Sequence, residues 1–403
     1  MRITSFSVSH FKDFKRYFFE RNYKLKIYNR LSIALILTNN IKNKMNLNEL
    51  KNDWIKEFPS PMIIAGPCSA ESESQMLETA KRLKESGAEI SAFRAGIWKP
   101  RTKPNGFEGV GVIGLNWLKK VKEEYGFKTA TEVANAHHVF AALEADVDIL
   151  WIGARSTVNP FTVQEIAQAL RGTNKPVLVK NPVNPDLALW IGALERLLGQ
   201  GVENLGAIHR GFSTYQKTKY RNIPNWQIAL DFKNQFPNIP LFIDPSHICG
   251  NRTGLAGVAQ EAFNVGYQGA IIESHCDPDN AWSDASQQIT PEVLAAMINN
   301  LQMRNSDISG YEDEMGKHRT LISDMDFQLI ELLSQRMKIS EKIGTLKKEN
   351  NIAIFQPERW KIITEYANQK ASETGMSQDF IEKVFKAIHE ESIEVQNHIM
   401  IDK

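Results

Sequence analysis

Ten polar side chains in the first three quarters of the chain each stand at or just beyond the end of a short apolar run, and their types sort into two sets. Arg94, Lys99, Arg101, Arg155, Lys180 and Arg210 are cations; Cys68, His247, Glu273 and Asp284 combine a thiol, an imidazole and two carboxylates. Six cations drawn together repel one another unless anions lie between them. The arginine fork matches phosphate and carboxylate, so the first set points to one multiply charged anion or to two phosphorylated ones. The second set is a mixed soft and hard donor group, which suits Mn, Fe, Co or Zn better than Mg or Ca. Taken singly, each residue has an ordinary reading. Cys68 could be a small buried apolar group, and a lone arginine is commonly a surface charge. Their shared placement is what separates them from that background.

The runs that carry these residues are Met62–Ala65, Ile90–Arg94, Lys128–Val133, Ile149–Gly153, Pro176–Val179, Asn204–His209, Pro240–Ile243 and Gly269–Ile272. Helix-like stretches alternate with them, among them Ser74–Ser86, Val163–Arg171, Leu187–Leu198 and Leu255–Val265. Eight such alternations predict a (β/α)8 TIM barrel, whose chemistry sits at the C-terminal ends of the strands. A doubly wound open sheet fits less well, because no glycine-rich dinucleotide fingerprint follows the first run. In a closed barrel the first, seventh and eighth strands are neighbours, so Cys68, His247, Glu273 and Asp284 can meet.

Near residue 300 the pattern changes. A polar stretch gives way to helical periodicity through Leu321, Ile322, Met325, Leu329, Leu332, Leu333, Met337, Ile339 and Ile343. Pro357 can open a second helix, and a third runs from about Ser377. The expected domains are a barrel over 45–302, a linker over 303–316 and an all-α three-helix domain over 317–403. Two shorter helices cannot cover the apolar face of a first helix of more than 30 residues. Pairing with a second copy is the natural remedy.

Composition narrows the classes. The chain has 403 residues, 42% hydrophobic and 24% charged, with three cysteines and no C-x-x-C pair. This fits a globular protein of a reducing compartment, and a cytoplasmic location is expected. The near-zero net charge of +1 gives no footprint of nucleic acid. The longest apolar run near the start, Ile33–Leu37, is far too short for a membrane span. Of the 48 Lys/Arg and 47 Asp/Glu, ten and two fall in residues 1–44, which leaves −7 for the rest. That basic stretch has no Gly or Pro. It reads as a disordered leader or an upstream translation extension ahead of Met45 rather than as a targeting peptide.

Ile64-Ala-Gly-Pro-Cys68-Ser, Phe93-Arg94-Ala-Gly, Lys99-Pro-Arg-Thr102, Ile152-Gly-Ala-Arg155, His209-Arg-Gly and Asp244-Pro-Ser-His247 together resemble the 3-deoxy-D-arabino-heptulosonate 7-phosphate (DAHP) synthases. The type resembled is the compact one, similar also to the 3-deoxy-octulosonate 8-phosphate synthases. The resemblance implies condensation of phosphoenolpyruvate with erythrose 4-phosphate, the first step of the shikimate pathway. It implies a divalent metal on Cys68, His247, Glu273 and Asp284. Phosphoenolpyruvate would lie on Arg94, Lys99, Arg155, Lys180 and Arg210, with Lys99 also able to donate a proton. Erythrose 4-phosphate would lie on Arg101 and Thr102, with Asp244 near its hydroxyls. The runner-up substrate is arabinose 5-phosphate. Asn181-Pro182 after Lys180 departs from the Arg-Gly pair expected of many relatives.

Residues 319–396 resemble the all-helical chorismate mutases through Arg319, Asp326, Arg336, Lys347, Arg359, Ser392 and Gln396. Arg336 and Lys347 are three helical turns apart, and Ser392 and Gln396 one turn apart, so each pair shares a face. The resemblance implies that Arg336 and a partner chain's Arg319 clamp the carboxylates of chorismate. Lys347 and Gln396 would serve the breaking ether oxygen, with Ser392 and Arg359 in support. Trp360 stands where many relatives carry a glutamate that grips the substrate hydroxyl, and Gln356 where some carry aspartate. The expected enzyme is therefore a homodimer or higher homo-oligomer that joins a synthase to a mutase. The alternative is a synthase whose helical domain senses prephenate or chorismate without turning it over.

Overall fold

The computed structural model describes residues 46–99, 106–215, 217–304 and 309–401. Residues 1–44, Arg101 and Thr102, and the middle of the expected linker lie outside the described residues. Two compact units part near residue 306. Among the described residues no helix is long and apolar enough to cross a membrane.

In the first unit all eight expected runs are strands, with ends moved by at most two residues. They are β1 Met62–Gly66, β2 Ala92–Arg94, β3 Lys128–Val133, β4 Ile149–Ile152, β5 Val177–Lys180, β6 Leu205–His209, β7 Leu241–Ile243 and β8 Gly269–Glu273. They pair in chain order, all parallel, and β8 closes on β1. The helices are α1 Glu73–Glu85, α2 Ile113–Tyr125, α3 Ala136–Glu144, α4 Ala154–Thr157, α5 Pro160–Ala169, α6 Leu187–Leu198, α7 Trp226–Gln235, α8 Pro245–Cys249, α9 Leu255–Asn264 and α10 Pro291–Asn300.

Seven of the strands are buried at every residue. Such strands read as unbroken apolar runs because both faces are covered. One face fills the barrel with Ile64, Trp151, Leu178, Phe242 and Ile271, and the other packs on the helices. Trp54, in a 3₁₀ turn ahead of β1, stacks on Phe242 at 6.4 Å and donates Nε1–H to the Leu205 carbonyl at the start of β6. The N-terminal end of the barrel is thereby plugged, and the opposite end is left for chemistry.

Local signals set the helix starts. Ser72 and Asp186 cap α1 and α6, and Thr290 caps α10 with Pro291 in its first turn. Such caps satisfy amide groups that otherwise have no partner in the helix. Gly66, at φ +145°, closes β1. A Cβ there would come within 2.2 Å of the Arg94 carbonyl oxygen, so only glycine lets β1 approach β2 at the mouth.

The second unit is α11 Glu312–Glu349, α12 Pro357–Thr374 and α13 Gln378–Ile401. One boundary differs from expectation. Glu312–Gly316, read as linker, belong to the 38-residue α11. Glu312, Asp313 and Glu314 look like linker because they are polar, but three acids in a first turn complement the positive end of the helix dipole. The apolar core of this unit is small: Ala367, Ala371 and Ile381, with Phe385 against them. Along α11, Leu321, Met325, Leu329 and Leu332, which share one face, are each more than half exposed. One copy of the chain leaves that face uncovered, as the length of the helix led us to expect.

Candidate active sites

The thiol and carboxylates at the barrel mouth come from widely separated parts of the chain. Cys68 follows β1, Glu273 ends β8, and Asp284 lies in the loop beyond β8; their ligand atoms lie within 4.8 Å of one another. Cys68 Sγ is 3.4 Å from Asp284 Oδ2, and Lys99 Nζ donates to the same sulfur at 3.0 Å. Arg94 Nη2 reaches the Cys68 carbonyl at 3.2 Å and Glu273 Oε1 at 3.3 Å. His247, the fourth expected ligand, borders this group, with Nε2 3.9 Å from Glu273 Oε1.

The Asp244-Pro-Ser-His247 sequence has a clear local logic. Asp244 caps the five-residue α8 by accepting from the His247 amide. The same carboxylate accepts from His247 Nδ1 at 3.0 Å and from Lys180 Nζ at 2.7 Å. Nδ1 therefore carries the proton, and the Nε2 lone pair faces Glu273. Burial, opposed by Asp244, keeps the imidazole pKa below its usual value and so neutral, the form that binds metals. Asp244 was expected near sugar hydroxyls. Its side chain is fully buried and engaged with Lys180 and His247.

Burial, reinforced by Glu273 and Asp284, pushes the Cys68 thiol up to about 12 against the pull of Lys99 and Arg94. Burial also raises the pKa of both carboxyls. For Glu273 the effect is outweighed by nearby positive charge, including Arg94 and Lys99, and for Asp284 by Arg221 and Lys99, so both stay ionised. Glu273 Oε1 is buried and makes no hydrogen bond among the described residues. A proton-bearing thiol, two carboxylates, one with an oxygen held by an ion pair and no hydrogen bond, and a neutral imidazole fit a divalent cation. Binding would displace the thiol proton.

The cations line the same end. The Arg94 guanidinium lies 4.9 Å and Lys180 Nζ 5.9 Å from the centre of the Trp151 ring, which gives them a common floor. Arg94 Nε and Nη1 and Arg210 Nε are buried without hydrogen-bond partners among the described residues. Buried donors of this kind are costly unless a ligand takes them. Burial is the main reason the Arg210 pKa falls to about 10; the group keeps its charge at neutral pH, and a bound anion would raise the value again. Arg155 was expected at a strand end. It lies one step further on, in α4, and is exposed.

In the second unit Arg336, Lys347, Ser392 and Gln396 gather where α11 packs on α13. Arg336 Nη1 donates to Ser392 Oγ at 2.5 Å, and Lys347 Nζ to the Ile354 carbonyl at 2.6 Å. Gln396 Nε2 donates to the Ser392 carbonyl, while its Oε1 is buried without a partner among the described residues. Arg359 is exposed but near enough to help lower the pKa of Arg336, where burial is the first cause. Arg319 lies 17 residues before Arg336 on the same helix, about 25 Å along its axis. It cannot reach this site within its own chain.

Residues 56–308 match the DAHP synthetase I family, and residues 318–397 match chorismate mutase type II. The chain belongs to the DAHP synthetase I family. The family barrel spans more than half of the chain, and a second catalytic domain is fused behind it. The chain is 31% identical over 240 residues to the phospho-2-dehydro-3-deoxyheptonate aldolase of Thermotoga maritima, covering 60% of this chain and 68% of that one. A 2-dehydro-3-deoxyphosphooctonate aldolase of Legionella pneumophila is 28% identical, covering 62% and 94%. A crystal structure of the Thermotoga DAHP synthase superposes with a TM-score of 0.54 at 29% identity, over 63% of this chain and 70% of that one. The barrel is thus a DAHP synthase, and the helical domain a chorismate mutase converting chorismate to prephenate.

Several residues of this DAHP synthase mouth escaped sequence reasoning. Trp151 was read only as part of a strand; its indole donates to Glu132 Oε2 at 3.0 Å. Gly153 leaves room for that carboxylate, since a Cβ would come within 2.1 Å of it. Asn181, noted only as a departure, accepts from the Arg210 amide at 2.7 Å and donates to the Gly211 carbonyl at 2.8 Å, which pins the loop after β6. Gln287 Nε2 donates to Glu273 Oε2 at 2.6 Å, while Arg221 Nη1 donates to both Gln287 Oε1 and Asp284 Oδ1. Gln288 accepts from the Cys68 amide. Groups behind metal ligands commonly affect affinity by about 10- to 100-fold. We expect Gln287→Leu to weaken Co²⁺ binding by about that factor, read by titrating the thiolate charge-transfer absorption. Unchanged affinity would mean that Gln287 does not orient Glu273.

Proposed function

We propose that the synthase site holds its divalent metal on Cys68, Glu273 and Asp284, with His247 as fourth ligand. The observation that carries this reading is the meeting of those three ligand atoms beside an Arg94 guanidinium with unspent donors. The thiol and imidazole favour Mn, Fe, Co or Zn. Phosphoenolpyruvate lies on Arg94, Lys99, Lys180 and Arg210, with Arg155 at the rim. Arg101 and Thr102 hold the phosphate of erythrose 4-phosphate. When bound, the metal supplies Lewis acidity at the aldehyde oxygen.

The cations orient the enolpyruvate so that its C3 attacks the aldehyde carbon, which is a positioning contribution. Water adds at C2, and phosphate leaves. Lys99, hydrogen-bonded to Cys68 Sγ, is placed to give a proton to the new hydroxyl. Lys180 and His247 keep their positions through Asp244.

In the helical domain Arg336 of one chain and Arg319 of its partner clamp the two carboxylates of chorismate. Lys347 and Gln396 stabilise the ether oxygen, with Ser392 and Arg359 in support. The dimer forms along the apolar face of α11. Prephenate or chorismate acts back on the barrel, and the enzyme works in the cytoplasm, where thiols stay reduced.

One assay tests the synthase reading: the full chain with phosphoenolpyruvate, offered erythrose 4-phosphate or arabinose 5-phosphate, with and without prephenate. Erythrose 4-phosphate should be consumed faster and prephenate should slow its use. Preference for the five-carbon sugar would overturn the substrate assignment, and indifference to prephenate would overturn the feedback.

A further inference from the structure

One ring nitrogen at the helical site is unspent. His389 lies on α13, three residues before Ser392 and seven before Gln396, so all three share one face. Its imidazole stacks on Trp360 of α12 at 4.2 Å and 20°, with Phe355 6.0 Å away on its other contact. Two aromatic contacts fix the plane of the ring. Its Nε2 is buried and makes no hydrogen bond among the described residues, as is true of Gln396 Oε1 two turns along.

Burial and the nearby Arg336 and Lys347, opposed only by Glu390, lower its pKa, so the ring is neutral. The groups of chorismate divide accordingly. Cations take its carboxylates and an amide or ammonium takes its ether oxygen. Its ring hydroxyl then calls for a neutral partner. A hydroxyl can donate to a bare Nε2 or accept from Nε2–H, so it satisfies either tautomer.

We infer that His389, held in place by Trp360, reads the ring hydroxyl of chorismate through Nε2. His389 is then the residue that separates hydroxylated from deoxygenated dicarboxylates, and Trp360 is its support. This rests on the assignment of Arg336, Lys347, Ser392 and Gln396 to chorismate.

The test uses the full chain and an unreactive bicyclic dicarboxylate shaped like the rearrangement transition state, made with and without the hydroxyl. Binding is measured by calorimetry. The parent should prefer the hydroxylated form by about tenfold or more. His389→Phe keeps the stack on Trp360 and removes the nitrogen. It should bind both forms about equally, with affinity for the deoxy form unchanged. His389→Gln, which restores a hydrogen-bonding group, should regain part of the preference. A preference that survives in His389→Phe overturns the inference. So does an equal loss for both ligands, which would mark a packing role. No binding of either form by the parent would overturn the chorismate site itself.

Discussion

Cys68→Ala should abolish DAHP formation and leave chorismate rearrangement untouched. Cys68 is the one thiol among the proposed ligands, and its sulfur lies among Lys99, Glu273 and Asp284. Losing Lewis acidity of several kcal/mol corresponds to a rate loss on the order of a thousandfold. Alanine fills most of the space of a buried thiol, so folding should survive. Lys180 would be a poorer choice, because it pairs with the buried Asp244 at 2.7 Å. Breaking such a pair costs about 3–5 kcal/mol of stability and would confuse binding with unfolding.

The same reading sets a pH dependence. The metal-free thiol holds its proton up to about 12, and the ligand form is the thiolate. Metal binding at neutral pH should therefore release about one proton, and affinity should fall as pH is lowered. Calorimetry in buffers of different ionisation enthalpy measures that proton. Full synthase activity in Cys68→Ala, or binding without proton release, would remove Cys68 from the ligand set.

Lys347→Ala is expected to do the converse, cutting chorismate turnover by about 10²- to 10³-fold while DAHP formation continues. Lys347 is largely buried, and among the described residues its Nζ donates to the Ile354 carbonyl. Burial also lowers its pKa, so it is poised to gain from a developing negative charge. A complementation experiment adds the oligomer. On the proposed assignment of Arg319 to the other chain's site, Arg319→Ala should be equally impaired. In a mixed dimer of the two variants one site carries both lesions and the other carries neither. Mixing two nearly inactive proteins should restore activity. Failure to restore it would mean that Arg319 does not act across the dimer.

The barrel was legible because a strand buried on both faces leaves little choice of residue. Ile149–Gly153 and Pro176–Val179 read as strands because they are short apolar runs rich in β-branched residues, and the strands lie at Ile149–Ile152 and Val177–Lys180. The residue just past each run then falls at the mouth by geometry, which is why Cys68, Arg94, Lys180 and Glu273 could be named. The supports behind them follow no such rule. Gln288 reaches the Cys68 amide across 220 residues, and Arg221 reaches Asp284 across 63. Neither distance leaves a mark in local pattern. Asn181 looked like a deviation because its work is done on the backbone of another loop. His389 was hidden for a different reason: on an amphipathic helix a histidine beside apolar residues reads as part of the stripe. The start of α11 was misplaced because acids that favour a helix N-terminus also favour a linker.

In the helical unit, half of the residues buried in the helices are polar. Apart from Gly344, Ala367, Ala371 and Ile381, the residues buried in its three helices are Ser340, Lys347, Ser392 and Gln396. A fold whose interior is polar and partly unpaired is incomplete until a solute of matching polarity enters it. Occupancy and folding are then linked, and ligand at a hundred times its dissociation constant adds about 2.7 kcal/mol to the folded state. The domain would tighten as its own substrate or product accumulates.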